Sequence, residues 1–173
     1  SELLASKTRP GAYGGSLENR TRLVRGVITR IRQEIPSLVI VSRMNAYDGI
    51  PYLRRDRLSE SLRPEMPTDT ETELLAGIGC PAPHTLPIEA AFGVDPFNHL
   101  NNVLDEPIQL AKWLRDWGVS AINVSMGNPY ANPHVVRPAE FPPIDGYHAP
   151  EHPLIGVLRH FNATAAIQAS VPE

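Results

Sequence analysis

Tyr13-Gly14-Gly15-Ser16-Leu17-Glu18-Asn19-Arg20 leads into a long amphipathic segment, which Pro36 stops and Leu38-Val39-Ile40-Val41-Ser42-Arg43 follows. The spacing predicts a helix from Leu17 to about Glu34. Ser16 is its N-cap, and Glu18 stands in the first turn, where the helix dipole favours an acid. Leu17, Val24, Val27, Ile28, Ile31 and Ile35 recur at helical spacing and form one apolar stripe, while Arg22, Arg25, Arg30 and Arg32 fall mostly outside it as a solvated face. Leu38 to Ser42 is short and almost continuously apolar, the pattern of a strand buried on both faces in a parallel sheet.

Working outward, the same alternation returns. Glu106 to Trp117 reads as a second helix with Asp105 as N-cap, Pro107 in the first turn and Gly118 at its end. Val119 to Ser125 reads as a second strand, and a third helix begins near Pro153 and stops before Pro172. Helices alternating with buried strands predict an α/β fold with parallel βα units, the two strands being parallel neighbours. Residues 50–104 differ in texture. Seven prolines punctuate them, and only Glu71 to Ala76 hints at a helical turn. A loop this long is read as an insertion passing over the strand ends as a lid, within a single domain spanning residues 1–173.

Composition narrows the function classes. A formal charge of −3 disfavours nucleic acid and anionic membrane surfaces as main partners. No apolar run approaches the roughly 20 residues needed to span a bilayer. The single cysteine, Cys80, leaves no internal disulfide and no zinc or iron–sulfur ligand set, so a reducing, cytoplasmic setting is the expectation. The histidines show no metal-ligand spacing, and no metal site is expected.

In parallel α/β architectures, ligands bind at the carboxyl ends of the strands. That rule selects Arg43 to Asp48, and Ser125 to Arg137 with Asn128, Tyr130, Asn132, His134 and Arg137. An arginine at the tip of a buried strand needs a carboxylate or an anionic ligand, and the residues alone leave open an ion pair with an acid such as Asp48. His134 is either a site residue or a loop histidine bonded to backbone. Asn128 reads as a turn residue before Pro129. Gly14 and Gly15 allow a tight turn, and Asn19 and Arg20 can tie it to neighbouring backbone.

The octapeptide Tyr-Gly-Gly-Ser-Leu-Glu-Asn-Arg, the helix after it and the strand ending in Arg43 together resemble the middle of the Old Yellow Enzyme family of NADH:flavin oxidoreductases. The likeness runs from Ser1 to about Asp48 and again from about Asp105 to Glu173. His134 and Arg137 form a His-x-x-Arg similar to that of the 2,4-dienoyl-CoA reductase branch. The resemblance implies a (β/α)8 TIM barrel, of which 173 residues would hold about half, since a whole barrel takes about 250. It implies FMN as cofactor, NAD(P)H as reductant and an electron-poor alkene as small-molecule substrate, with any iron–sulfur cluster outside this chain. It places Arg43 against the flavin, His134 and Tyr130 in catalysis, and Asn132 and Arg137 toward the substrate. Open strand edges would favour a homo-oligomer. Two other classes stay open: a barrel aldolase or lyase gripping an anionic substrate, which lacks a Schiff-base lysine at either strand end, and a non-catalytic half-barrel.

Overall fold

The protein is mixed α/β, and the computed structural model describes residues 2–58, 77–140 and 146–171. In chain order its elements are α1 (Glu2–Ala5), α2 (Leu17–Glu34), β1 (Val41–Asn45), β2 (Tyr52–Arg54), a 3-10 turn (Arg55–Arg57), β3 (Gly79–Pro81), α3 (Asp105–Asp116), β4 (Ala121–Ser125), α4 (Pro133–Val136) and α5 (Pro153–Ser170). The expected helical hint at residues 71–76 lies outside the described residues. No described helix is long and apolar enough to cross a membrane. Among the described residues the strands close no barrel: they form two two-stranded sheets.

The chain divides into two compact units. The first comprises residues 1–49, 85–126 and 160–173, the second residues 50–84 and 127–159. The segment 50–104 expected as one insertion therefore contributes to both.

In the first unit, α2 spans the residues its periodicity predicts, and Ser16 caps it through its side-chain oxygen, which accepts from the Asn19 N–H at 3.4 Å. Its buried line is Leu17, Arg20, Thr21 and Ile28. Arg20 is 3 % exposed, and the reason is electrostatic. Its guanidinium pairs with both Glu106 oxygens and donates to the Gly15 and Leu4 carbonyls, so the charge that burial would penalise is matched on every side. Gly14 has no room for a side chain, since a Cβ there would sit 2.2 Å from the Arg9 carbonyl oxygen. Gly15 takes φ +78°, which glycine adopts without strain. Arg32, expected on a solvated face, instead donates to the Pro36, Leu38 and Gly118 carbonyls and closes the end of the helix.

β1 and β4 are parallel, in the register Val41↔Ala121 to Asn45↔Ser125, with α3 in the connection between them. The expected order therefore holds. Two details do not. The first strand begins at Val41 instead of Leu38, so Arg43 lies at its centre and not at its tip. It is also not buried on both faces: Val39 is 70 % and Val41 62 % exposed. Burial on both faces needs a packed layer on each face, and the exposure of Val41 shows that one face of β1 is left uncovered. At α3, Leu104 occupies the N-cap position without a side-chain bond, and Asp105 is the first helical residue, where its charge faces the dipole. Leu17, Ile28, Met44, Phe92, Leu110, Leu114, Val119 and Ile167 make one apolar cluster with Ala46 and Ala111.

The second unit holds a ladder that the proline-rich texture conceals. β2 and β3 pair antiparallel, Tyr52↔Pro81 to Arg54↔Gly79. Pro81 is tolerated because it stands at a strand end. Gly79 also bonds its N–H to the His148 carbonyl (2.9 Å), and Tyr52 bonds its N–H to the Ala131 carbonyl (2.7 Å), which ties the backbone at 131 and at 148 to the ladder.

Candidate functional site

Arg43 belongs to the first unit, while Tyr130, Asn132, His134 and Arg137 belong to the second. Arg43 is exposed and makes no hydrogen bond or ion pair among the described residues. Ser42, Arg43, Met44 and Asn45 line a cavity of about 350 Å³ together with Leu23, Val24 and Val27 of α2. The alternative in which Asp48 pairs with Arg43 is not what these residues adopt. Asp48 accepts from the Phe92 N–H (2.9 Å) and from the Asn45 amide (2.6 Å). Its own N–H returns to the Phe92 carbonyl at 2.8 Å. Burial raises the Asp48 carboxyl above its ordinary value, and those two hydrogen bonds offset part of the rise.

This reciprocal clasp fastens the 91–103 loop to the carboxyl end of β1. Gly93 sits at φ +68° with its α-carbon so close to the Ala46 carbonyl that a Cβ would lie 2.0 Å from that oxygen. Tyr47 adds a hydrogen bond from its hydroxyl to the His99 carbonyl.

The second unit gathers its polar side chains around His134. This residue sits on α4, whose start is set by Pro133 and by Asn132. Asn132 is fully buried, its Oδ1 accepting from the Asn128 N–H (2.7 Å) and its Nδ2 donating to the Ile50 carbonyl (2.9 Å). The amide thus holds the loop that presents the histidine. Asn128 forms the turn its position predicts, accepting from the Tyr130 N–H at 2.9 Å. Tyr130 itself is 98 % exposed, and Arg137 is exposed too. The structure brings neither against His134.

Three residues that the sequence reading left aside do meet it. The Tyr147 hydroxyl lies 2.7 Å from His134 Nδ1. The Tyr52 ring packs edge-on at a centroid distance of 4.6 Å. Glu151, in a double hydrogen bond with Arg159 (2.6 and 2.7 Å), acts on the imidazole through its charge. Burial pulls the His134 pKa down to about 4, against the opposing pull of Glu151, and Arg159 adds to the fall. Burial likewise pushes the Tyr147 and Tyr52 phenols above their ordinary range. Burial alone would raise Glu151, but the hydrogen bonds and charge of Arg159, with His134, outweigh it and hold the carboxyl low. At neutral pH the centre is therefore a neutral imidazole, two neutral phenols and one closed ion pair.

Nothing in the sequence spacing announces this cluster, because its members stand at positions 52, 134, 147, 151 and 159. Cys80 donates weakly to the Leu53 carbonyl at 3.4 Å, and burial raises its thiol. Among the described residues no group of histidine, cysteine and carboxylate side chains has the arrangement of a metal site. No family model matches the chain, and neither the curated proteins nor the solved structures contain a match to it.

Proposed function

We propose that the chain is part of an FMN-dependent oxidoreductase resembling Old Yellow Enzyme and 2,4-dienoyl-CoA reductase, acting on an α,β-unsaturated carbonyl or enoyl thioester. The observation that carries this reading is Arg43: an arginine on a strand of a parallel βαβ unit, without an acidic partner among the described residues. Because it is exposed, its guanidinium is open to an anionic ligand arriving from solvent. The octapeptide supports the reading as well, since its glycines, cap and Arg20 make the tight helix entry that the resemblance implies.

Arg43, on the lining of the cavity of about 350 Å³, is the residue that would hold the ring end of a flavin. Arg43 would stand against the pyrimidine edge, where its fixed charge stabilises negative charge developing on the ring. FMN, when bound, would supply the hydride carrier between NAD(P)H and the alkene. His134 would activate the substrate by hydrogen bonding to its carbonyl oxygen. In the same reading β1 and β4 are adjacent strands of a (β/α)8 barrel, about half of which this chain carries, and a further packed layer would cover the exposed Val41.

The test is the absorption spectrum of the complete purified protein, followed by NAD(P)H oxidation with a cyclic enone. A yellow protein that releases stoichiometric FMN on heating and reduces the enone is the expected result. A colourless protein that takes up no FMN ends the reading.

A further inference from the structure

We propose that Tyr147 is a positioning residue for His134: its phenol O–H donates to Nδ1, which places the single ring proton on Nε2 and presents an Nε2–H donor. The use of that donor on a substrate carbonyl rests on the oxidoreductase reading; the tautomer itself does not.

The pairing favours one assignment of the shared proton. The Oη···Nδ1 distance is 2.7 Å, and Tyr147 is 5 % exposed. The phenol hydroxyl has no hydrogen-bond partner other than Nδ1 among the described residues. Were Nδ1–H the donor, the buried phenol proton would have nowhere to go, a penalty that buried hydroxyls seldom bear. With the O–H donating, the phenol proton and Nδ1 are both paired, and Nε2 carries the ring proton as the donor left for a substrate.

The phenol is also held in place. The backbone of Gly79 in β3 lies against the Tyr147 ring, so closely that a Cβ there would fall 2.2 Å from Cδ2. The hydrogen bonds Gly79 N–H to His148 O (2.9 Å) and His148 N–H to Gly77 O (2.8 Å) lock the adjoining backbone on both sides. Glycine at position 79 is what lets the ring sit there. Tyr52 then wedges the imidazole from its other contact, ring to ring at 61°.

The groups facing His134 are Tyr52 of β2, Tyr147, and Glu151, just before α5, with Arg159 on that helix. The acid and the base close on each other, so neither serves as the proton partner of the ring. The imidazole stays neutral over the physiological range. It acts as a hydrogen-bond donor whose strength does not follow pH between about 5.5 and 8, unlike an ordinary histidine acid.

Nitrogen-15 NMR of the His134 ring in the whole protein reads the tautomer directly, in the wild type and in Tyr147→Phe. The wild type is expected to hold the Nε2–H form, unprotonated, from pH 5.5 to 8, and Tyr147→Phe to show mixed tautomers. In the flavin-loaded enzyme the same substitution should slow reoxidation by the alkene at least tenfold, with flavin content as the control for folding. An Nδ1–H tautomer in the wild type overturns the proposal, and that measurement needs no variant to fold. So does a Tyr147→Phe protein that keeps the Nε2–H form and reoxidises within twofold of wild type. A colourless protein with the Nε2–H tautomer would instead end the oxidoreductase reading and support the positioning role of Tyr147.

Discussion

The two units are built by different forces. In the first, a parallel pair of strands and its helices share one cluster of Leu, Ile, Met, Val and Phe side chains, and the buried Arg20 pairs with Glu106. In the second, the residues that organise the fold are Asn132, His134, Tyr147 and Tyr52, joined by hydrogen bonds and ring edges. Apolar burial is non-directional and tolerates small errors of position. A buried polar network is all or nothing, since each unmatched group costs more than a matched one returns. The first unit is therefore a scaffold, and the second is where a small change of chemistry has a local and specific consequence.

The largest test of that contrast is Leu114→Ala. Leu114 is 2 % exposed at the centre of the apolar cluster. Its truncation should cost about 3–4 kcal/mol by denaturant unfolding, the usual range for a buried leucine. A loss near zero would mean that the cluster is not what holds the first unit.

Acid titration separates the units by sign. His134 is depressed to about 4 in the folded protein, so its contribution to stability is present above its unfolded value near 6.5 and is lost as pH falls toward 4. The loss should reach on the order of 3 kcal/mol. Asp48 runs the other way: with its folded pKa raised, its contribution is full below the unfolded carboxylate value and declines as pH rises through the folded one. Hydrogen exchange measured from pH 4 to 7 should show protection at the Tyr52 and Gly79 amides growing with pH. The Phe92 and Asp48 amides should show the opposite trend. Parallel trends in both regions would contradict the separate assignments.

Asn132→Ala removes both halves of a buried amide and leaves the Asn128 N–H and the Ile50 carbonyl unmatched. About 2 kcal/mol should be lost, and the tautomer signal of His134 should broaden, because α4 loses its anchor. A broadened signal without loss of stability would show that the loop tolerates the cavity by admitting water.

At the small end, Arg30→Ala breaks the exposed Arg30–Glu34 pair on α2, both of whose side chains are more than half in solvent. The expected change in unfolding free energy is under about 0.5 kcal/mol. A larger effect would place that face of α2 against something other than solvent.

Helix α2, the parallel pairing of β1 with β4, and the start of α5 at Pro153 were all legible in the sequence. Each rests on short-range signals: a 3.6-residue period, a serine cap, a proline stop and an apolar run. The offset of β1 from Leu38 to Val41 was not legible, because Leu38 to Val41 is uniformly apolar and only the register against Ala121 to Ser125 decides where the ladder begins. The β2–β3 ladder hid behind Pro51, Pro81 and Gly79, whose local preferences point away from strands.

For the site, the sequence by itself determined which residue types lie on or just beyond the parallel strands: Arg43, Asn45 and Asp48 with the first, Asn132, His134 and Arg137 beyond the second. Only the tertiary structure decided what each of them does with its charge or proton. It gave Asp48 to the Phe92 backbone and left Arg43 unpaired. It spent the amide of Asn132 on the loop, turned Tyr130 to solvent, and set Tyr147 against His134. The physical reason is range. Helix periods and caps are written within a few residues of one another, whereas desolvation and hydrogen-bond pairing depend on which distant side chains are brought into contact.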